Sequence, residues 1–192
     1  MYVWHSGQGE PLSERAGAAL AAFLVSVGPD RLFTYNGGAF DLRRLHRLTG
    51  VAALGPLALQ HRDLLVAFWC DNRYYASMDS LAVATLGTAA SKTNTGAWAA
   101  TAWATDEASA VLDYCVSDTV VLRRLVEHVR RWGKLQRRAK SGKTMTWTLS
   151  GLDGRVPKVE AALAAPASAA WMTDPPARPD VRWAAMCQAD CA

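Results

Sequence analysis

Apolar positions recur at helical spacing in several stretches of this chain, separated by short runs with strand character. Between residues 12 and 27, Leu20, Phe23, Leu24 and Val27 fall on one face, with Ser13 placed as an N-cap and Gly28-Pro29 as the stop; this predicts a helix. Residues 2–4 form a short β-prone run. Leu32-Phe-Thr-Tyr35 concentrates aromatic and β-branched residues and predicts a buried strand, which Asn36-Gly37-Gly38 breaks. Residues 41–49 resume as a helix, with Leu42, Leu45 and Leu48 on one face and Gly50 behind them. Residues 61–68 and 80–86 are two short elements of a helical middle, the second closed by Gly87, and residues 91–96 are a polar loop. Thr105-Asp-Glu opens the longest helix, its acids in the first turn where the dipole favours them; it continues through Val111, Tyr114, Asp118, Leu125 and Val129 to about Trp132.

After Gly133 the pattern changes. Residues 143–149 alternate like a strand and run into Ser150-Gly151 and Asp153-Gly154 turns. Residues 161–170 are rich in alanine and interrupted by Pro166, residues 174–179 are proline-rich, and residues 181–192 are a candidate terminal helix. This divides the chain into a core domain over 1–135 and a C-terminal extension over 136–192, rich in Trp, Pro and Ala and expected to pack on the core or hang partly loose. Trp147 and Trp171 are the expected anchors.

Composition narrows the class. With 192 residues, 51% hydrophobic and 20% charged, the chain can bury a core and is not a disordered protein. No apolar run reaches the roughly 18 residues of a membrane span, and no basic-then-apolar leader opens the chain. Cys70, Cys115, Cys187 and Cys191 form no CxxC pair, which points to a reducing, cytoplasmic compartment rather than a disulfide or zinc framework. The net charge of +4 is concentrated between Arg123 and Lys143, with only Glu127 opposing nine cations. Arg137 and Arg138 in that stretch are candidate nucleic-acid contacts; a solvated turn is the competing reading.

Three local patterns carry candidate chemistry. Thr34-Tyr-Asn36-Gly-Gly-Ala-Phe40-Asp41 ends a strand, turns, and delivers an aspartate at a helix start. His61-Arg-Asp63-Leu-Leu follows, then Ser80-Leu81 and Leu86-Gly87. Tyr114 and Asp118 are four apart on the long helix and so share a face. Carboxylates at a strand–helix junction and on a neighbouring helix are the donors a hard divalent cation needs for work on a phosphodiester.

These patterns resemble the DEDD superfamily of 3′–5′ exonucleases in its tyrosine variant, DEDDy. The nearest likeness is to predicted exonucleases related to the proofreading domain of family B DNA polymerases, over roughly residues 1–132. Thr34-Tyr-Asn-Gly-x-x-Phe-Asp41 is similar to that family's second motif and Tyr114-x3-Asp118 to its third. The resemblance implies an α/β, ribonuclease H-like fold, here an N-terminally incomplete mixed sheet flanked by helices with a small C-terminal extension. It implies hydrolysis of terminal phosphodiester bonds of DNA or RNA with two Mg²⁺ or Mn²⁺ ions. Asp41 and Asp118 would hold the metals, Tyr114 would orient the attacking water, and Asn36 and Phe40 would position the terminal nucleotide. The expected partner is a nucleic acid with a 3′ end, single-stranded, and no membrane.

The family's first motif, Asp-x-Glu on an opening strand, has no counterpart: the acids before Asp41 are Glu10, Glu14 and Asp30. The metal site is therefore expected to be incomplete, and the chain to be truncated or impaired unless a partner chain or a missing N-terminal segment supplies that motif. The other reading is a catalytically inactive module that binds nucleic acid or a partner with the same fold. Blander assignments stand beside these. Asn36-Gly37 is also a common turn, Asp41 a helix cap, and Tyr114 with Asp118 a surface pair. Asp63 reads as a helix-start or surface acid, His61 and His128 as structural or solvated, and Lys92 as a loop lysine.

Overall fold

The structure, a computed structural model, describes residues 10–91, 94–105, 107–139, 141–149, 155–165 and 177–189. The expected strand over 2–4, Lys92, Trp171 and Cys191 lie outside them. The fold is mixed α/β and mostly helical, with nine α-helices and two small sheets among the described residues.

Helix α1 (Glu14–Val27) starts where the Ser13 hydroxyl accepts the Ala16 N–H at 3.2 Å and stops at Gly28, whose φ of 78° few other residues adopt. Helix α2 (Asp41–Thr49) has the expected bounds and turns out through Gly50 at φ 65°. It buries Leu42 and Leu45, while Leu48 stays at the surface. Gly17 of α1 lies so close to α2 that a Cβ there would come within 2.9 Å of Leu48 and Thr49.

The element expected over 61–68 is two elements. Helix α3 (Leu54–Gln60) ends at His61, Arg62–Asp63 form strand β2, and α4 (Leu64–Asn72) follows at once. Strand β1 (Phe33–Thr34) runs parallel to β2, pairing Phe33 with Arg62 and Thr34 with Asp63. The far edge of β2 makes one antiparallel bridge, to Lys158. The other edge of β1 carries no strand among the described residues.

Helix α5 (Met78–Leu86) is closed by Gly87 as expected and starts two residues earlier than expected, at the Ser77 cap. Helix α6 (Gly96–Ala104) fills a stretch with no expected element. The long α7 begins at Ala108, slightly later than expected, and ends at Trp132 before Gly133 in the left-handed region.

Strand β3 (Lys134–Arg138) then pairs antiparallel with β4 (Thr144–Thr148) in a separate hairpin, where a single mixed sheet was expected. The hairpin has its own attachment. Leu135 and Trp147 enter the core, and Thr85 of α5 both donates to the Gln136 carbonyl (3.1 Å) and accepts its N–H (2.9 Å), closing the outer edge of β3. The boundary drawn after residue 135 thus falls inside β3. Trp147 is the expected anchor: it is 4% exposed, meets Phe68 edge-on at 4.9 Å, and donates its Nε1–H to Asp71 at 2.8 Å. Helices α8 (Val159–Ala164) and α9 (Arg182–Ala189) complete the chain.

Strand β1 separates two cores. Phe33 and Tyr35 pack on the cluster of α4, α5, α7 and the hairpin, and Leu32 packs on the cluster of α1, α2, α3 and α9. That alternation is the period-two pattern of a strand covered on both faces. No helix among the described residues is long and apolar enough to cross a membrane.

Candidate functional site

The parallel strands end at a buried carboxylate. Asp63 is 1% exposed and closes β2 as the N-cap of α4, where its Oδ1 accepts the N–H groups of Leu65 (3.0 Å) and Val66 (3.2 Å). The same oxygen accepts the Asn36 N–H at 2.9 Å, and Oδ2 accepts the Gly38 N–H at 3.1 Å and the Thr34 hydroxyl at 2.8 Å. One side chain thereby ties the end of β1, the turn after it and the start of α4 into a rigid unit. Asp63 is the expected helix-start acid; the surface alternative is overturned, because five donors converge on it and exclude water.

His61 sits beside it, fully buried, with Nδ1 against the Ala58 carbonyl (2.9 Å) and Nε2 against the Thr34 hydroxyl (2.8 Å). The carbonyl can only accept, so Nδ1 carries a proton. Burial, outweighing the attraction of Asp63, holds the imidazole below its ordinary pKa. His61 is thus structural, one of the two roles the sequence offered.

This frame shapes the loop over 36–40. Asn36 adopts φ 68°, rare outside glycine but tolerated by asparagine, and its carbonyl accepts the Phe40 N–H at 3.0 Å. A Cβ on Gly37 would lie 2.5 Å from Thr34 Cβ, so only glycine fits there. From the outside α9 closes over the loop: Trp183 donates its Nε1–H to the Gly38 carbonyl at 3.0 Å and stacks on His46 at 5.3 Å, and Arg43 pairs with Asp180 at 3.1 Å. The C-terminal segment is part of the site's support.

The loop presents Phe40 and Asp41. Phe40 is 46% exposed, with the Arg44 guanidinium 4.0 Å from its ring centre. Asp41 opens α2 and lines a largely apolar cavity of about 300 Å³ with Leu20, Leu24, Leu45 and Leu48. Although part of Asp41 meets solvent, burial and then the nearby Asp63 carboxylate push its carboxyl up to about 6, against smaller opposing effects of its own backbone and Arg44. Tyr35, whose hydroxyl donates to the Ala76 carbonyl at 2.6 Å, is raised for the same two reasons.

Tyr114 and Asp118 lie half-buried on α7, and Tyr114 meets Trp98 of α6 edge-on at 5.9 Å. Helix α7 packs on α5, α6 and β3, and α2 packs on α1 and α3; the two do not form a packed pair. Asn36, Phe40 and Asp41 are brought together on one loop, while Tyr114 and Asp118 sit on a helix that is not among the main packing partners of α2. Arg137 lies 4.5 Å over Tyr74 and reaches the Met145 sulfur, while Arg138 donates to the Gly142 carbonyl at 3.4 Å, both on the hairpin rather than in the loop.

Among the described residues no three acids, histidines or cysteines converge as a metal shell. Asp63 has no oxygen to spare, so Asp41 is the only carboxylate this loop offers. These donors do not by themselves fit a pair of divalent ions. No family model, curated protein or solved structure matches this chain.

Proposed function

We infer that this chain is a member of the metal-dependent 3′–5′ exonucleases with a ribonuclease H-like fold, impaired as it stands, whose remaining function is to hold the end of a nucleic acid strand. The observation that carries this is the loop over 36–41, fixed by Asp63 beyond the carboxyl ends of two parallel strands, where open α/β sheets bind their ligands. That loop offers an exposed aromatic for a base, with Asn36 beside it and a carboxylate at a helix start. No strand pairs with the other edge of β1 among the described residues, and a partner chain or N-terminal segment bearing an Asp-x-Glu pair would add the missing carboxylates by pairing there. Mg²⁺ or Mn²⁺ is the cofactor such a completed site would take.

The second reading, an inactive binding module, is favoured by the lack of a converged metal shell among the described residues. Release of nucleotides from 3′-labelled single-stranded DNA with Mn²⁺, beside Asp41→Ala and Asp118→Ala preparations, separates the two. Activity lost in both variants makes the chain an enzyme. Binding without cleavage leaves the module, and neither binding nor cleavage by folded protein removes nucleic acid altogether.

A further inference from the structure

At the opposite ends of the parallel strands a second cavity, of about 500 Å³, opens between the sheet and α7. Its floor is apolar: Phe33 of β1, Val126 of α7, and Val156. Its polar lining is dominated by three guanidinium groups, those of Arg62, Arg130 and Arg155. Arg62 is held in place by donating Nη1 to the Val156 carbonyl, and Arg130 lies 4.9 Å from the centre of the Phe33 ring. Asp30 at the rim is already paired with Lys158, at 3.4 Å. None of the three arginines has a carboxylate partner among the described residues, so the cavity keeps an uncompensated positive charge. Asp30 and Arg62 belong to the starts of the strands, whereas Asn36, Asp41 and Asp63 follow their ends, so this is a site apart from the loop described above.

We propose that this cavity binds a small phosphorylated ligand of nucleotide size, its phosphates on Arg62, Arg130 and Arg155 and its ring on the Phe33, Val126 and Val156 floor. Guanidinium forks match phosphate oxygens in pairs, and several of them converging select a ligand with two or more negative charges. The volume lies within the range of small-molecule pockets, and the apolar floor gives a ring a reason to prefer this place over water. The phosphates of a single strand share this chemistry, but the cavity's size favours the free nucleotide.

Calorimetric titration of the full chain with adenosine 5′-diphosphate, pyrophosphate, adenosine and a ten-residue thymidine oligonucleotide tests it. The diphosphate is expected to bind, pyrophosphate no more tightly, and adenosine not measurably. Arg130→Gln and Arg155→Gln, both at exposed positions where folding is undisturbed, should each weaken the diphosphate by about tenfold, and Arg131→Gln at the next position of α7, which does not line the cavity, should not. Four results would overturn the proposal: no diphosphate binding, adenosine binding equally well, indifference to both arginine changes, or binding of the oligonucleotide alone. Diphosphate binding abolished by Asp41→Asn would place the ligand at the other end of the strands, and would also overturn it. Failure here leaves the nuclease reading untouched, because that rests on the Asp41 loop.

Discussion

The Asp63 carboxylate accepts the Asn36 backbone N–H at 2.9 Å across 27 residues of sequence. The contact converts a turn that would otherwise flex into an extension of the sheet, and everything the loop presents depends on it. Asp63→Asn keeps an oxygen for the N–H groups of Asn36, Leu65 and Val66 but points an amide donor at the Gly38 N–H. The Thr34 hydroxyl can reverse and accept; the glycine N–H cannot. Urea unfolding should show a loss of about 2–3 kcal/mol for Asp63→Asn and more for Asp63→Ala, which strands buried N–H groups without any acceptor. A change under about 0.5 kcal/mol would mean that the loop does not need this frame.

Sequence pattern made some of this legible and hid the rest for definable reasons. Helices α1, α2 and the end of α5 were readable because local signals mark them: Ser13 and glycines 28, 50 and 87 act within a few residues of the ends they mark, whereas the Ser77 cap went unread. Helix α3 was missed because Gly55-Pro56 reads as a turn, although proline is tolerated in a first turn. Strand β3 was missed because four of its five residues are polar and only Leu135 is fully buried. The role of Asp63 was out of reach for a different reason. Its N-cap partners are two and three residues away, but its contacts to Thr34, Asn36 and Gly38 come from chain 25 to 29 residues distant. Asp41 and Phe40 were found from a motif, whereas what holds them in place is tertiary.

Burial of the Asp41 carboxyl, and after it the nearby Asp63 charge, gives a pH dependence of definite sign. The Asp41 carboxyl titrates at about 6 in the folded chain against 3.8 for an ordinary aspartate, so between those values the native state binds more protons than the unfolded one. Its contribution therefore disfavours folding increasingly as pH rises from about 4 to above 6. Asp41→Asn should raise the melting temperature at pH 7 and leave it unchanged near pH 3.5, where the wild-type carboxyl is already neutral. His61 works the other way: its depressed pKa makes the unfolded state the stronger proton binder, so stability is lost as pH falls below 6.5. The Asp41→Asn difference isolates one from the other, since His61 is present in both proteins. A melting temperature lowered by the substitution at pH 7 would contradict the raised pKa.

The cover that α9 forms over the loop can be lifted by one atom. A Cβ on Gly55 would sit 2.5 Å from Cys187 Cβ and 2.8 Å from the Ala184 carbonyl, too close for α9 to stay where it is. Gly55→Ala should cost about 1–3 kcal/mol and expose the C-terminal segment to limited proteolysis before the rest of the fold opens. Trp183 would leave the Gly38 carbonyl and His46, shifting its fluorescence to longer wavelength. Unchanged proteolysis of this variant would show that α9 is not held by its contact with α3.

Phe40 is the residue on which nucleic-acid binding by the loop can be judged. Nearly half exposed and backed by Arg44 at 4.0 Å, it adds little to the core, so its removal should alter stability by no more than about 0.5 kcal/mol. A base stacked on an aromatic ring contributes roughly 1–3 kcal/mol, which corresponds to a loss of about 5- to 150-fold in affinity when the ring is removed. Phe40→Ala should therefore weaken binding of a fluorescein-labelled single strand in anisotropy titrations while leaving the melting temperature nearly unchanged, and Phe40→Tyr should restore it. Arg137→Gln serves as the contrast: a phosphate contact on the hairpin would be lost as a weaker salt dependence, with a slope lower by about one, instead of as a loss that persists at high salt. Equal affinity for wild type and Phe40→Ala would remove the loop as a base-binding surface, and with it the main support for a nucleic-acid end as the ligand.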